Sequence, residues 1–153
     1  MKSEVITYQY EDKDYLGYVA YPEKELAPLV LIAHTWAGRD SFVEERAEKL
    51  AELGYVAMAV DMYGDGKLGS STEENQSLMT PLVENRDQLK GVINAALNSG
   101  KSLRGVDVNN IAAIGYCFGG LVVLDLARSG TELNGVVSFH GLLMGSEISE
   151  AGI

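Results

Sequence analysis

The one cysteine of the chain lies in a segment whose residue types suit nucleophilic catalysis. A buried-strand pattern at residues 111–114 runs into Gly115-Tyr-Cys-Phe-Gly-Gly, and an apolar helix pattern follows directly. This order of strand, turn and helix is typical of a nucleophile elbow, with Cys117 in the serine position. Gly115 and Gly119 lack side chains, so they allow the sharp turn and the approach of a substrate. The segment predicts covalent catalysis in which the Cys117 thiolate attacks a carbonyl carbon.

The predicted helix Phe118–Arg128 begins directly after this cysteine. Its unpaired N–H groups and the positive end of its dipole favour a thiolate and a developing oxyanion, so the Phe118 N–H is one expected donor. Two alternatives are a cysteine that is only a small buried apolar residue and a dinucleotide-binding loop. The loop fits poorly, because Cys117 stands where the second glycine of G-x-G-x-x-G belongs. The strand, both glycines and the helix together favour the nucleophile.

The elements that must position this cysteine follow an α/β pattern. Residues 4–10 and 15–21 alternate apolar and polar side chains and predict an antiparallel hairpin. Buried strands are predicted at 29–33, 55–60, 111–114 and Gly135–Phe139, and helices at 40–53, 81–97 and Phe118–Arg128, with a glycine-rich loop at 64–71. Strands that alternate with helices predict a mainly parallel sheet covered on both faces.

Bulk composition limits the possible partners. The chain has 22 acidic and 12 basic residues and a net charge of -10, which disfavours nucleic acid and anionic membranes. Its apolar runs are too short to span a bilayer, and no signal peptide, internal disulfide, metal motif or cofactor motif is found. We therefore expect a soluble cytoplasmic protein with one domain over residues 1–153, neither metal nor cofactor, and no membrane or nucleic-acid partner.

Four segments in the same order resemble the dienelactone hydrolase family. They are the elbow, the run His34-Thr-Trp-Ala-Gly, the run Asp61-Met-Tyr and the run Ser138-Phe-His-Gly. The resemblance implies a three-layer α/β-hydrolase fold and hydrolysis of carboxylic esters or lactones, with a small-molecule substrate. It also implies that the Trp36 N–H is the second oxyanion donor. The expected pocket-lining residues are His34, Tyr63, Tyr116 and His140.

Structural roles are the alternatives for several of these residues. His34 at a strand end and Trp36 could serve packing alone. Asp61 follows a buried strand and precedes the nucleophile, whereas this fold supplies its catalytic carboxylate after the nucleophile. We therefore expect Asp61 to cap the loop at residues 62–66.

The triad is where the chain departs from the family pattern. The expected order is nucleophile, carboxylate, histidine, yet the only histidine after Cys117 is His140, directly behind the strand Gly135–Phe139. The later carboxylates lack the expected context; they are Asp125, Glu132, Glu147 and Glu150. We expect a partial domain, truncated after this strand, whose base comes from outside the chain or from His140. The alternative is an incompetent fragment or binding module that retains the pocket.

The same strand raises the question of assembly. An apolar strand at the edge of a sheet offers unpaired N–H and C=O groups to another chain. We therefore expect a homodimer joined near the edge of Gly135–Phe139 or a partner fragment that completes the sheet, and otherwise a tendency to aggregate. The alternative is that residues 142–153 fold back as a short helix over this edge.

Overall fold

The computed structural model describes residues 1–145 and shows a six-stranded mixed sheet with four helices in that range. The strands are β1 (Lys2–Tyr10), β2 (Lys13–Tyr21), β3 (Ala27–Ala33), β4 (Val56–Ala59), β5 (Val106–Tyr116) and β6 (Gly135–Phe139). The helices are α1 (Ser41–Glu52), α2 (Thr72–Glu84), α3 (Arg86–Lys101) and α4 (Phe118–Arg128).

The sheet has the order β1-β2-β4-β3-β5-β6. The hairpin of β1 and β2 is antiparallel, as predicted, and β2 also pairs antiparallel with β4. The other four strands run parallel, so their carboxyl ends meet at one edge of the sheet. The predicted α/β fold is therefore confirmed.

Two apolar clusters lie on opposite faces of the sheet and make three layers. Val43, Ala47 and Ala51 of α1 pack on one face against alternate residues of β3 and β4. Helices α3 and α4 cover the other face with fully buried side chains such as Leu89, Ile93 and Leu121. Strand β3 is almost completely buried because both faces are covered, as its continuous apolar run predicts.

The predicted helix at residues 81–97 is wrong in its extent. Two helices occupy this region, and Asn85 separates them by ending α2 and capping α3 through its side chain, which accepts from the Gln88 N–H. Pro81 lies in the last turn of α2 rather than at a helix start. Ser71 caps the beginning of α2 by accepting from the Glu74 N–H. The polar composition of residues 72–80 hid this helix, because only Leu82 in α2 is buried.

Within the described range, no helix has both the length and the apolar character needed to cross a bilayer. Residues 1–145 also contain no group of three or more His, Cys, Asp or Glu side chains placed to hold a metal ion.

Candidate active site

Cys117 joins β5 to α4 in a backbone conformation that few residues adopt. Its dihedral angles are φ 56° and ψ −116°, and it occupies the N-cap position of α4. A positive φ at a residue with a side chain costs of the order of 1–3 kcal/mol and persists only when neighbours enforce it. The Cys117 N–H donates to the Phe139 carbonyl at 2.9 Å, which ties the turn to the end of β6. Cys117 as a residue is half-buried.

The elbow glycines are required because backbone atoms approach them closely. A Cβ at Gly119 would stand 2.1 Å from the Ala33 carbonyl oxygen and 2.6 Å from that of His34. A Cβ at Gly115 would stand 1.9 Å from the Gly119 carbonyl oxygen. The absence of both side chains lets the first turn of α4 contact the carboxyl end of β3. The loop that begins at His34 is thereby brought beside the elbow.

Two backbone N–H groups at this edge of the sheet are the expected oxyanion donors. Within residues 1–145, neither the Phe118 N–H nor the Trp36 N–H has a hydrogen-bond acceptor. Phe118 begins α4, whose first turn carries no acidic residue, so the positive end of the helix dipole is not offset there. Trp36 lies in a turn closed by the Gly38 N–H on the Thr35 carbonyl at 3.2 Å. Both groups are of the kind that stabilises an oxyanion.

His34 is completely buried, and both of its ring nitrogens have hydrogen-bond partners. Nδ1 lies 2.6 Å from the Thr35 carbonyl oxygen, and Nε2 accepts from the Met62 N–H at 3.0 Å. Burial lowers the pKa of His34 below its ordinary value, and the Thr35 carbonyl and Asp61 oppose this only in part. The imidazole is therefore held neutral, and its ring packs on Tyr63 at a centroid distance of 4.8 Å.

Asp61 and Tyr63 organise the loop after β4. The Asp61 carboxylate accepts from four backbone N–H groups, those of Leu16, Tyr63, Gly64 and Gly66. This is the loop-capping role expected for Asp61. The Tyr63 hydroxyl donates to the Trp36 carbonyl at 2.8 Å. Burial, followed by the nearby Cys117, raises the pKa of Tyr63 well above its usual range, so the hydroxyl stays protonated.

Tyr116 and His140 adjoin the cysteine, Tyr116 as the last residue of β5 and His140 directly after β6. Tyr116 pairs with Phe139, so Cys117 and His140 follow directly at the ends of two adjacent strands. The Tyr116 ring stacks on Phe139 at 5.1 Å and meets Phe42 edge-on at 5.0 Å. His140 is exposed and has φ 42°. No histidine nitrogen within the described residues hydrogen-bonds the Cys117 sulfur.

A cavity of about 300 Å³ lies beside this site, between β2 and α2. Tyr63, Tyr15 and Met62 contribute to its wall, together with Leu78 and Leu82 of α2. Tyr63 thus lies between this cavity and the turn that carries Trp36.

Sequence reasoning did not anticipate the role of Thr35. Its Oγ1 accepts from the Ala37 N–H at 3.2 Å, and its carbonyl closes the turn to Gly38. A threonine followed three residues later by glycine is a recognisable turn signature and could have indicated this loop.

Asp125 likewise had no structural role predicted from the sequence. It is fully buried and paired with Arg86 and Arg128, and no sequence pattern signals a partner 39 residues away.

Comparison with known proteins decides the family. The model of the dienelactone hydrolase family matches residues 16–153. The chain belongs to this family. The match includes the His34 turn, the Asp61 loop and the elbow, so the resemblance based on these segments is confirmed.

Solved structures of the family have the same fold. One named m3DLH superposes with a TM-score of 0.90 at 35% identity, over 94% of this chain and 60% of that chain. A dienelactone hydrolase-like promiscuous phosphotriesterase from metagenomic libraries superposes with a TM-score of 0.89 at 30% identity, over the same two shares. The elbow therefore lies in a fold that these dienelactone hydrolase structures share.

The chain is shorter than its relatives. The carboxymethylenebutenolidase of Pseudomonas putida is 26% identical over 149 residues, which are 93% of this chain and 62% of that protein. The chain likewise spans 61% of the length of a relative from Aquifex aeolicus. The matched part is the N-terminal portion of a family domain.

Proposed function

We propose that this chain carries the nucleophile and the oxyanion-binding part of a carboxylic ester or lactone hydrolase. Cys117 is the nucleophile, and the backbone N–H groups of Phe118 and Trp36 hold the oxyanion. Four further residues are proposed to belong to the substrate pocket, either in its wall or behind the loops that form it: His34, Tyr63, Tyr116 and His140.

One observation carries the proposal. Cys117 combines a positive φ, partial burial and the N-cap position of a helix whose first N–H group has no acceptor within residues 1–145. A cysteine that served packing alone would need neither the unfavourable backbone nor the two close-packed glycines. The arrangement therefore supports a reactive thiol rather than a buried apolar residue.

The chemistry proceeds in two steps. The Cys117 thiolate adds to the carbonyl carbon, and collapse of the tetrahedral intermediate expels the alkoxide or phenoxide and leaves a thioester. Water then adds to the thioester, and the thiolate leaves with release of the carboxylic acid. In a lactone the expelled alkoxide stays attached to the acyl group, so the first step opens the ring and the second releases the hydroxy acid.

The substrate class rests on the family and on charge. A butenolide is a lactone, and the name of the Pseudomonas putida relative assigns that class to that protein. We extend the same class, small esters and lactones, to this chain. Its net charge of -10 favours small molecules over nucleic acid or anionic membranes as partners.

Turnover of 4-nitrophenyl acetate by the 153-residue chain tests the proposal. The described residues place no histidine on the thiol, so we expect slow release of nitrophenolate and none above background for Cys117→Ala. A slow rate with wild-type protein that disappears in the variant supports the proposal. Turnover that survives Cys117→Ala contradicts the assignment, and a wild-type protein that does not react at all favours a binding module.

A further inference from the structure

His34 is locked in one protonation state by its two partners. The Met62 backbone N–H can only donate, so Nε2 is an unprotonated acceptor. The proton therefore lies on Nδ1, which donates to the Thr35 carbonyl oxygen at 2.6 Å. No ring nitrogen remains for a proton transfer to substrate, yet the ring lies directly under the turn that carries Trp36.

The Thr35 carbonyl and the Trp36 N–H belong to the same peptide group. In a planar trans peptide these two bonds point in opposite directions, so a hydrogen bond that fixes the carbonyl also fixes the N–H. The described residues contain no cis peptide bond, so this geometry applies to the Thr35–Trp36 peptide. The hydrogen bond from His34, together with the one from the Gly38 N–H to the same carbonyl, thus holds the Trp36 N–H in its direction.

The next peptide group, between Trp36 and Ala37, is held by the side chain of Tyr63. The Tyr63 hydroxyl donates to the Trp36 carbonyl at 2.8 Å, so both peptides that flank Trp36 are held by buried side chains outside the turn. The His34 ring also contacts Tyr63 at 4.8 Å and Phe118 at 6.0 Å. One aromatic cluster, made of His34, Tyr63 and Phe118, therefore contacts both oxyanion-donor segments.

We propose that His34 and Tyr63 are positioning residues that orient the Trp36 N–H for binding the oxyanion. The inference rests on the proposed function, because the oxyanion arises only when Cys117 attacks a carbonyl. It assigns His34 a role distinct from that of a base and from packing alone.

Two substitutions of His34 separate the two hydrogen bonds. In His34→Asn the side-chain N–H₂ takes the place of Nδ1 and can still donate to Thr35, while the acceptor for Met62 is lost. In His34→Gln the side-chain oxygen takes the place of Nε2 and can still accept from Met62, while the donor to Thr35 is lost. Each variant loses one hydrogen bond, so the two serve as matched controls for stability.

The rate of Cys117 acylation by 4-nitrophenyl acetate is the first measurement. Removal of one oxyanion donor lowers kcat by about 10²- to 10³-fold in a hydrolase, and misorientation should cost less, so we expect about a 10- to 100-fold lower rate for His34→Gln. We expect a smaller loss for His34→Asn, which keeps the donor to Thr35, with KM for the ester unchanged in both variants. Tyr63→Phe should also acylate more slowly, whereas Tyr55→Phe, at an exposed tyrosine, should not.

A second measurement needs no activity. The ¹⁵N chemical shifts of the His34 ring should show a protonated Nδ1 and an unprotonated Nε2 at neutral pH. A protonated Nε2, or equal acylation rates for the Asn and Gln variants, overturns the positioning role. If wild-type Cys117 forms no acyl adduct, the proposed function fails, whereas the tautomer still decides whether His34 holds the Thr35 peptide.

Discussion

At the scale of single residues, the site depends on backbone atoms that lie closer together than side chains would allow. The carbonyl oxygens of Ala33 and His34 both contact Gly119, and the Gly119 carbonyl contacts Gly115. These contacts support the positive φ of Cys117 and bring the His34 turn against the first turn of α4. The conformation of the nucleophile is therefore set by its glycine neighbours as much as by its own preference.

Gly119→Ala should destabilise the fold strongly. The new methyl group would meet the Ala33 and His34 carbonyl oxygens, and backbone cannot move aside as a flexible side chain can. We expect a loss of about 3 kcal/mol in the free energy of unfolding, measured by urea denaturation. Gly135→Ala is the control, because nothing lies within 4 Å of a Cβ there. Equal stability of the two variants would contradict the close approach at the elbow.

His34 should make stability depend on pH. Its pKa in the fold lies below the ordinary value of 6.5, so the unfolded chain binds a proton first as pH falls. The contribution is therefore complete above about pH 6.5 and is lost as pH falls through the folded pKa. We expect wild type to lose more unfolding free energy than His34→Asn between pH 7 and pH 5. Parallel curves for the two proteins would show that His34 is not held neutral.

At the scale of elements, four parallel strands end at one edge of the sheet and place the residues of the site there. The register pairs Ala33 with Gly115 and Tyr116 with Phe139, so the His34 turn, Cys117 and His140 follow in adjacent positions. The loop after β4 adds Asp61 and Tyr63 at the same edge. Each of these segments thus follows the carboxyl end of a parallel strand, as expected for ligand sites of α/β sheets.

The ion pairs of Asp125 connect α3 and α4 with the segment after β6. The carboxylate accepts from Arg86 and Arg128, and Arg86 also donates to the Met144 carbonyl at 2.6 Å. Asp125→Asn leaves two arginines largely buried without their counter-charge. We expect a loss of about 3 to 5 kcal/mol in unfolding free energy. Glu23→Gln, at an exposed ion pair, should change nothing measurable, and similar melting of both variants would show that the cluster is dispensable.

The sequence predicted those elements that a local pattern of residue types reveals. It predicted the contacts between elements only in part. Apolar runs indicated β3 and β4, and the glycine pattern of residues 115–120 indicated the elbow. The boundary at Asn85 escaped prediction because an exposed polar helix has no apolar period to reveal it. The hydrogen bond from Tyr63 to Trp36 joins residues 27 apart and depends on strand order, which local sequence does not encode.

At the scale of the whole molecule, β6 forms an outer edge of the sheet within residues 1–145. Within residues 1–145, β6 pairs only with β5, and Val137 and Phe139 are 48% and 42% exposed. The alternative of a helix over this edge concerns residues 142–153. No helix forms at 142–145, and the rest lie outside the described residues.

The 153-residue chain should therefore self-associate through β6. Unpaired N–H and C=O groups on an apolar edge strand favour pairing with a second copy. We expect a dimer by size-exclusion chromatography with light scattering at high micromolar concentration, and a monomer for Val137→Lys. Val108→Lys, at a similarly exposed valine of β5, is the control. A wild-type monomer at that concentration would show that this edge is protected.

The nucleophilic role of Cys117 can be measured as the mass of the intact protein after brief mixing with 4-nitrophenyl acetate. Acid quenching within seconds should preserve the thioester, because it stops the attack of water on the adduct. We expect one added acetyl group per chain, removed by neutral hydroxylamine and absent from Cys117→Ala. An unmodified wild-type mass, or an acetyl group that persists in Cys117→Ala, would contradict that role.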